Sequence, residues 1–571
     1  MKKLLSMILA LSMVLALLAG CGGDKNQSNS TPTDNNEVAQ SAIDKNKDEV
    51  ISTEADNETT IKKITQIDNA PSNLDPTAMN NSGMNFLWEI YEMPYQLTGF
   101  GGDLLPVLAD ASKGSFEKGM DHEDGSNEYT LYIRDDIVDH AGNNITASDV
   151  VFSYEWMVGS GNARGWSQFE SVEAVGDYAV KLTFKRELNL VGELTTFFAR
   201  IFIVSEKAYN DSPSGLISDA CGTGPYKVKE YVSGSKMVLE KNEDYWWPEG
   251  EAFNWQGQAA NAETIEIVYA NEAASMIIAL GNGEADITAN LTLANAVDFQ
   301  DGGQYSDQYD IYTFWDNLTY CLLPNCHEDA VTGDINMRLA IFYAASVEGM
   351  VAALAEDVPG SYRACYGMGN PNFPDFSDSW ANWDNYETKS DPDLVQKYLD
   401  AAGYNGETVN IICMGGGQEE TIATYLNGAL DAYGIKSAIT LVDRTTQTIT
   451  KADPTKWDIS VESWASSDYI VNVWDKLWKS NNDQGYISES GQFIKDDEFL
   501  DMCLKVKAAE GHNQEAVDAV QQHIIDNAYA MGVAQKCSIL VYPTNDNINV
   551  KTLFLTDKNA LVPGACSFTT K

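Results

Sequence analysis

Apolar residues are spaced along this chain in three ways, and each spacing predicts a different kind of segment. Positions 4–18 form an apolar run behind Lys2 and Lys3 and ahead of Ala19 and Gly20. A basic start, an apolar middle and small residues before a cut make a secretory signal over residues 1–20. The run is too short to span a bilayer stably. Residues 22–60 contain no aromatic side chain and are rich in Asn, Asp, Ser, Thr, Gln and Lys. Such a stretch buries too little apolar surface to offset its ordering entropy, so residues 21–60 read as a flexible tether.

From residue 61 the apolar positions become periodic. Alternation predicts strands over 61–67, 129–133 and 178–184, and a hairpin of 226–232 with 236–240 around Ser233-Gly234. Helical spacing predicts 147–157, with Thr146 as N-cap and Ser148 and Asp149 in its first turn. A strand at 264–270, a helix at 272–280 stopped by Gly283 and a further strand opening at 285–287 predict a βαβ unit. One long helix is expected over 336–354, with Met337, Ala340, Ile341, Ala344 and Val351 on its apolar stripe. Another is expected over 391–402, ended by Gly403, and a second βαβ unit over 408–413, 418–433 and 435–442. Strands interleaved with helices imply an α/β fold.

Length and a 44% hydrophobic composition suffice for two or three domains. The balance of 37 Lys+Arg against 84 Asp+Glu gives a net charge of −47. That excludes a nucleic-acid partner, which needs a basic face, and adsorption of the body to anionic lipid. Self-repulsion for solubility is the favoured reading of this charge, with attraction of cationic ligands a second. Eight cysteines follow Cys21: Cys221, Cys321, Cys326, Cys365, Cys413, Cys503, Cys537 and Cys566. They are too sparse for a disulfide scaffold, although Cys321 and Cys326 are close enough to pair if geometry allows.

Catalytic chemistry is thinly represented. Five histidines occur and none lies in an HExxH pattern; GxSxG, Walker, CxxC and EF-hand patterns are absent from the sequence. Cys326-His327 lacks partners at metal-ligand spacing. Gly415-Gly416-Gly417 precedes a helix, as an anion site would, but no Lys-Ser/Thr follows, so it reads as a strand-to-helix loop. No cofactor or metal is expected. A large chain with an export signal and no reactive constellation points to binding rather than catalysis.

Two resemblances sharpen this. Leu18-Ala19-Gly20-Cys21 resembles a bacterial lipobox, which implies that Cys21 becomes a lipidated N-terminus. Beyond it, seven segments in order resemble the extracytoplasmic solute-binding proteins of the peptide/nickel class, family 5, which serve ATP-driven importers. They are Leu74-Asp75-Pro76, Leu105-Pro106-Val107-Leu108-Ala109, Tyr129 to Arg134, Thr146 to Ser153, Gly222-Thr223-Gly224-Pro225-Tyr226 with Leu239 to Asn242 and Asp244-Tyr245-Trp246, Leu280 to Asp286, and Arg338-Leu339-Ala340. Together they cover about residues 65–470. Ser346 stands where the family has a common acid.

The resemblance implies a two-lobe, clamshell α/β body of the type II periplasmic-binding-protein kind, with a domain inserted in the first lobe. Expected bounds are 61–308 for the first lobe, with the insertion at about 83–200, 309–530 for the second, and 531–571 returning to the first. It also implies site residues. Trp464-Ala465-Ser466-Ser467-Asp468-Tyr469 is similar to a loop whose acid pairs with a peptide's α-ammonium; Trp464 and Ser466 are candidate contacts, and either Asp468 or Ser467 holds the acid's position. Residues 69–73, with Ala70 and Ser72, correspond to a ligand-facing first-lobe edge. Arg363 is a candidate grip for a carboxylate. Trp246 and Trp247 are read as core. The family's stacking Trp is missing near Arg444-Thr445-Thr446. Short peptides are the expected ligands, with oligosaccharides second and nickel or a cell-wall hydrolase remote. Implied partners are the permease and ATPase subunits of an importer, and a membrane through the N-terminal lipid; the protein is expected to be a monomer.

Overall fold

The computed structural model describes residues 60–79, 83–97, 103–163, 166–356, 358–369, 371–465, 469–478, 491–556 and 559–569. The stretches expected to be signal and tether, Cys21, and Ser466 to Asp468 lie outside the described residues.

Among these, the strands nearest the N-terminus form a four-stranded sheet. Ile64–Asp68 runs parallel to Thr264–Tyr269, which pairs antiparallel with Lys236–Lys241, itself the partner of Tyr226–Val232. The hairpin falls where alternation placed it. A second four-stranded sheet, in the order Met120–His122, Glu128–Tyr132, Ala179–Phe184, Phe169–Gly176, packs on the helix Ala147–Gly159. That helix begins with a capping box: Asp149 accepts from the Thr146 N–H at 2.8 Å. Trp246 and Trp247 are core, as read, and Arg134 stacks over both rings at 5.3 and 5.0 Å.

The largest sheet has seven strands, in the order Tyr309–Trp315, Met531–Pro543, Leu318–Pro324, Ile459–Ala465, Val409–Met414, Ser437–Val442, with Tyr362–Ala364 also paired to the long strand. The helix Gln418–Ala432 joins Val409–Met414 to Ser437–Val442 in parallel, which completes the expected βαβ unit. Pro392–Ala402 starts on an Asp391 cap and stops at Gly403, whose φ of 66° suits glycine.

The long strand ties the two lobes together. Its start, Met531, Val533 and Ala534, belongs to the apolar cluster of Ile411, Leu426 and Val461. Its end, Leu540 and Tyr542, belongs to the cluster of Ile64, Leu239 and Ile265. Between them Cys537, Ile539 and Val541 pack with Ile67, Met276 and Tyr309.

Two expectations are corrected. The helix expected over 336–354 is two helices, Ile335–Ala344 and Val347–Leu354, bent by 51°. Ala345 is extended at ψ 154°, and the Ser346 side chain accepts the Gly349 N–H at 3.1 Å. Ser346 is thus an N-cap, which breaks the helix it was expected to continue. The strand expected from 285–287 is reduced to isolated bridges, Ile287 to Gln66 and Thr288 to Val541. The Asp286 carboxylate takes the Thr65 N–H at 2.7 Å, the donor that a continued ladder would use. All eight described cysteines are free thiols, Cys321 and Cys326 included.

Candidate functional site

Val409–Met414 runs parallel to both Ser437–Val442 and Ile459–Ala465, so all three strands end at one edge of the large sheet. The N-terminus of Gln418–Ala432 rises from the same edge. Open α/β sheets bind ligands at such carboxyl ends, because loops and helix N-termini converge there.

Alternation in Ile459–Ala465 sorts its side chains between two faces. Ile459 and Val461 pack under Ile422 and Leu426. One step on, Ser463 donates to Glu419 at 2.9 Å. Nearby, Gln418 donates to the Tyr362 hydroxyl at 3.2 Å, and the Tyr362 ring meets Tyr320 edge-on at 6.4 Å. A cavity of about 620 Å³ lies beside them, lined by Leu354, Tyr362, Gln418, Glu420, Thr421 and Tyr425 among others.

On the opposite face Ser460, Glu462 and Trp464 form a buried polar row. The Glu462 carboxylate accepts from Ser460 at 2.6 Å, from the Trp464 indole N–H at 2.9 Å, and from the Lys451 ammonium. Both charged side chains are at most 7% exposed. Burial alone would raise the Glu462 carboxyl, but the Lys451 charge and the hydrogen bonds outweigh it and hold it below the usual glutamate range. Charge and hydrogen bonds together make a rigid pedestal.

That pedestal carries the candidate loop. Trp464 pairs across the ladder with Thr319, is 8% exposed, and has its N–H committed to Glu462. Ser466, Ser467 and Asp468 fall outside the described residues. At the far side, the Ile470 N–H donates to Asp375 at 2.9 Å and the Tyr469 ring lies 4.6 Å from His512. The described residues on either side, Trp464 and Ile470, are thus each held by a buried carboxylate.

The remaining candidates lie elsewhere. Arg363 stacks on Trp315 at 4.5 Å and donates to Gln535 at 2.6 Å and Asn372 at 2.9 Å. Its guanidinium bonds two neutral side-chain oxygens beside the strand shared by the lobes. Ala70 is half-buried and Ser72 exposed, in a turn that packs on Gly83, where a Cβ would come within 2.6 Å of the Asn69 carbonyl. Asn69 donates to Asn290 at 3.3 Å, which fixes the start of that turn.

Sequence reasoning missed Lys451, Glu462, Glu419 and Tyr320. Glu462 did leave a signal: the one charged residue in the strand Ile459–Ala465, at an inward position, must have a partner.

The sequence profile described as "Bacterial extracellular solute-binding proteins, family 5 Middle" matches residues 104–484. Among curated proteins, the chain is 24% identical over 297 residues to the probable D,D-dipeptide-binding periplasmic protein DdpA of Escherichia coli K12. That match covers 49% of this chain and 52% of DdpA, so the chain spans about half the length of this relative. Among solved structures, the oligopeptide-binding protein AppA of Bacillus subtilis, with a nonapeptide bound, superposes at a TM-score of 0.67 and 16% identity, covering 90% of this chain and all of AppA. NikZ of Campylobacter jejuni, bound to Ni(L-His), superposes at 0.64 and 18% identity, covering 88% of this chain and 97% of NikZ. The clamshell fold is shared across these proteins; at such identities it does not select among ligands.

Proposed function

Because the chain belongs to the bacterial extracellular solute-binding proteins of family 5, we propose that it captures short peptides outside the cell and delivers them to an ATP-driven importer. It is a substrate-binding protein and not an enzyme. We place the lobes at 61–308 and 309–530, with the Met531–Pro543 strand shared between them. Ligand in the cleft would stabilise the closed state by its differential affinity for it. Lipidated Cys21 would tether a monomer near its permease, with residues 21–60 as the leash.

The observation that carries the peptide reading is the Lys451–Glu462–Trp464 pedestal. It fixes the entry to the loop holding Asp468, whose carboxylate we assign to the peptide's α-ammonium. A Trp464 ring that is 8% exposed offers little face to a sugar, which favours peptide over oligosaccharide. Curated relatives named for dipeptide and oligopeptide binding support the same class.

The test is calorimetric titration of a tetrapeptide library against the parent and Asp468→Asn, with N-acetylated counterparts. Truncating one member of a buried charge pair costs about 2–5 kcal/mol, so peptide binding should weaken by tens-fold or more. N-acetylated peptides should bind the parent equally poorly. Equal affinity of parent and variant for a free-amine peptide would remove Asp468 from this role and put Ser467 in its place.

A further inference from the structure

Among the described residues, one member of the apolar cluster of Val471, Trp474, Phe499 and Val506 comes from the first 308 residues: Val191. It is 8% exposed. Its own N–H donates to the Lys507 carbonyl at 3.2 Å. The next residue, Gly192, has φ 83°, and a Cβ built on it would lie 2.0 Å from Asn472 Nδ2. The Asn472 amide is thus pressed on a position that only glycine leaves open.

The corner is rigid from behind. Leu188 and Leu194 are buried in the inserted domain's own core with Tyr129 and Phe197. The Glu193 carboxylate is gripped by Arg186 at 2.8 Å and by the Asn189 N–H at 2.7 Å. Val191 belongs to none of that core. Its burial comes from the other lobe.

We propose that residues 189–193 are an inter-lobe latch: Val191 seats in the second-lobe cluster and Gly192 against Asn472 only when the cleft is closed. The inference rests on the two-lobe reading above but needs no ligand. The covalent crossings between the lobes include the Tyr309–Trp315 and Met531–Pro543 strands. Rotation about those strands must part the 189–193 corner from the helices Val471–Trp478 and Asp497–Lys507. The latch therefore adds apolar burial to closure whatever the cleft holds, and it slows opening.

Hydrogen–deuterium exchange and small-angle X-ray scattering on ligand-free protein test this. Val191→Asp should raise the exchange rate of peptides covering 471–478 and 504–508 by roughly tenfold or more, the equivalent of one lost valine seat. It should also enlarge the radius of gyration. Val191→Thr, nearly isosteric, should shift both in the same direction by less, and it decides the matter if the aspartate variant does not fold. Unchanged exchange and radius in a folded variant would overturn the latch. Peptide affinity plays no part in this readout, so failure of the peptide proposal and failure of the latch are distinguishable.

Discussion

Lys451→Met is the most informative single change to the pedestal. Methionine keeps most of the aliphatic stem but removes the ammonium, leaving Glu462 with Ser460 and Trp464 as donors inside the protein. Removing one partner of a buried ion pair typically costs about 3–5 kcal/mol, because the remaining charge is left uncompensated. The pH dependence identifies the cause. In the parent the Glu462 carboxyl lies below the usual range, so its contribution is present above the unfolded value of about 4.5 and is lost as pH falls through the folded value. In the variant, burial is no longer outweighed by Lys451, and the folded carboxyl lies above the unfolded value. The penalty should therefore be full at pH 8 and shrink toward pH 5. Urea unfolding followed by tryptophan fluorescence at both pH values measures it. Adding Glu462→Gln should recover most of the loss at pH 8. A cost below about 1 kcal/mol at pH 8, or an equal cost at both pH values, would refute the pedestal argument.

Three further outcomes are expected. Burial raises the Asp316 carboxyl to about 6, so as a raised carboxylate it costs stability as pH rises from about 4 through 6; Asp316→Asn should stabilise by at most about 3 kcal/mol at pH 7.5 and little at pH 4, read by melting temperature. Ser346→Ala removes the cap of Val347–Leu354 and should cost about 1 kcal/mol in denaturant unfolding, with Ser346→Asp close to neutral. Cys21→Ala should release the protein from membranes into the soluble fraction, seen by fractionation and blotting; membrane retention after normal signal cleavage would dismiss the lipid anchor.

The motifs that made the fold legible mark architecture rather than ligand contact. Gly222 and Gly224 sit where the chain passes Ile90 so closely that a Cβ would lie 2.1 and 2.7 Å from its backbone. Tyr226 donates to the Ala262 carbonyl at 2.8 Å, and Arg338 donates to the carbonyls of Thr332, Gly333 and Asn527. Each interaction constrains a residue type at a fixed place, so each survives as a pattern. The site edge leaves no such pattern. Tyr320, Tyr362 and Glu419 come from three separated segments, and only the sheet order and the helix Gln418–Ala432 bring them together. The local pattern also misled where a side chain competed with the backbone: helical periodicity at Ser346, and the expected strand at Asp286.

The shared strand dictates an order of events during folding. The cluster around Ile64 and Ile265 also needs Leu540, Val550, Phe554, Leu561 and Phe568, so the first-made sheet, whose strands all lie within 64–269, has an incomplete core until the last-made residues arrive. The 309–530 stretch needs less from outside itself: the start of Met531–Pro543 completes its sheet. A chain emerging N-terminus first would thus complete the cluster of Ile411 and Val461 before the cluster of Ile64 and Ile265. Contacts spanning nearly five hundred residues close slowly. The cluster of Ile64 and Ile265 is therefore the last to close, whereas the cluster of Leu131, Val150 and Phe197 draws on residues 95–247 alone and needs nothing made later.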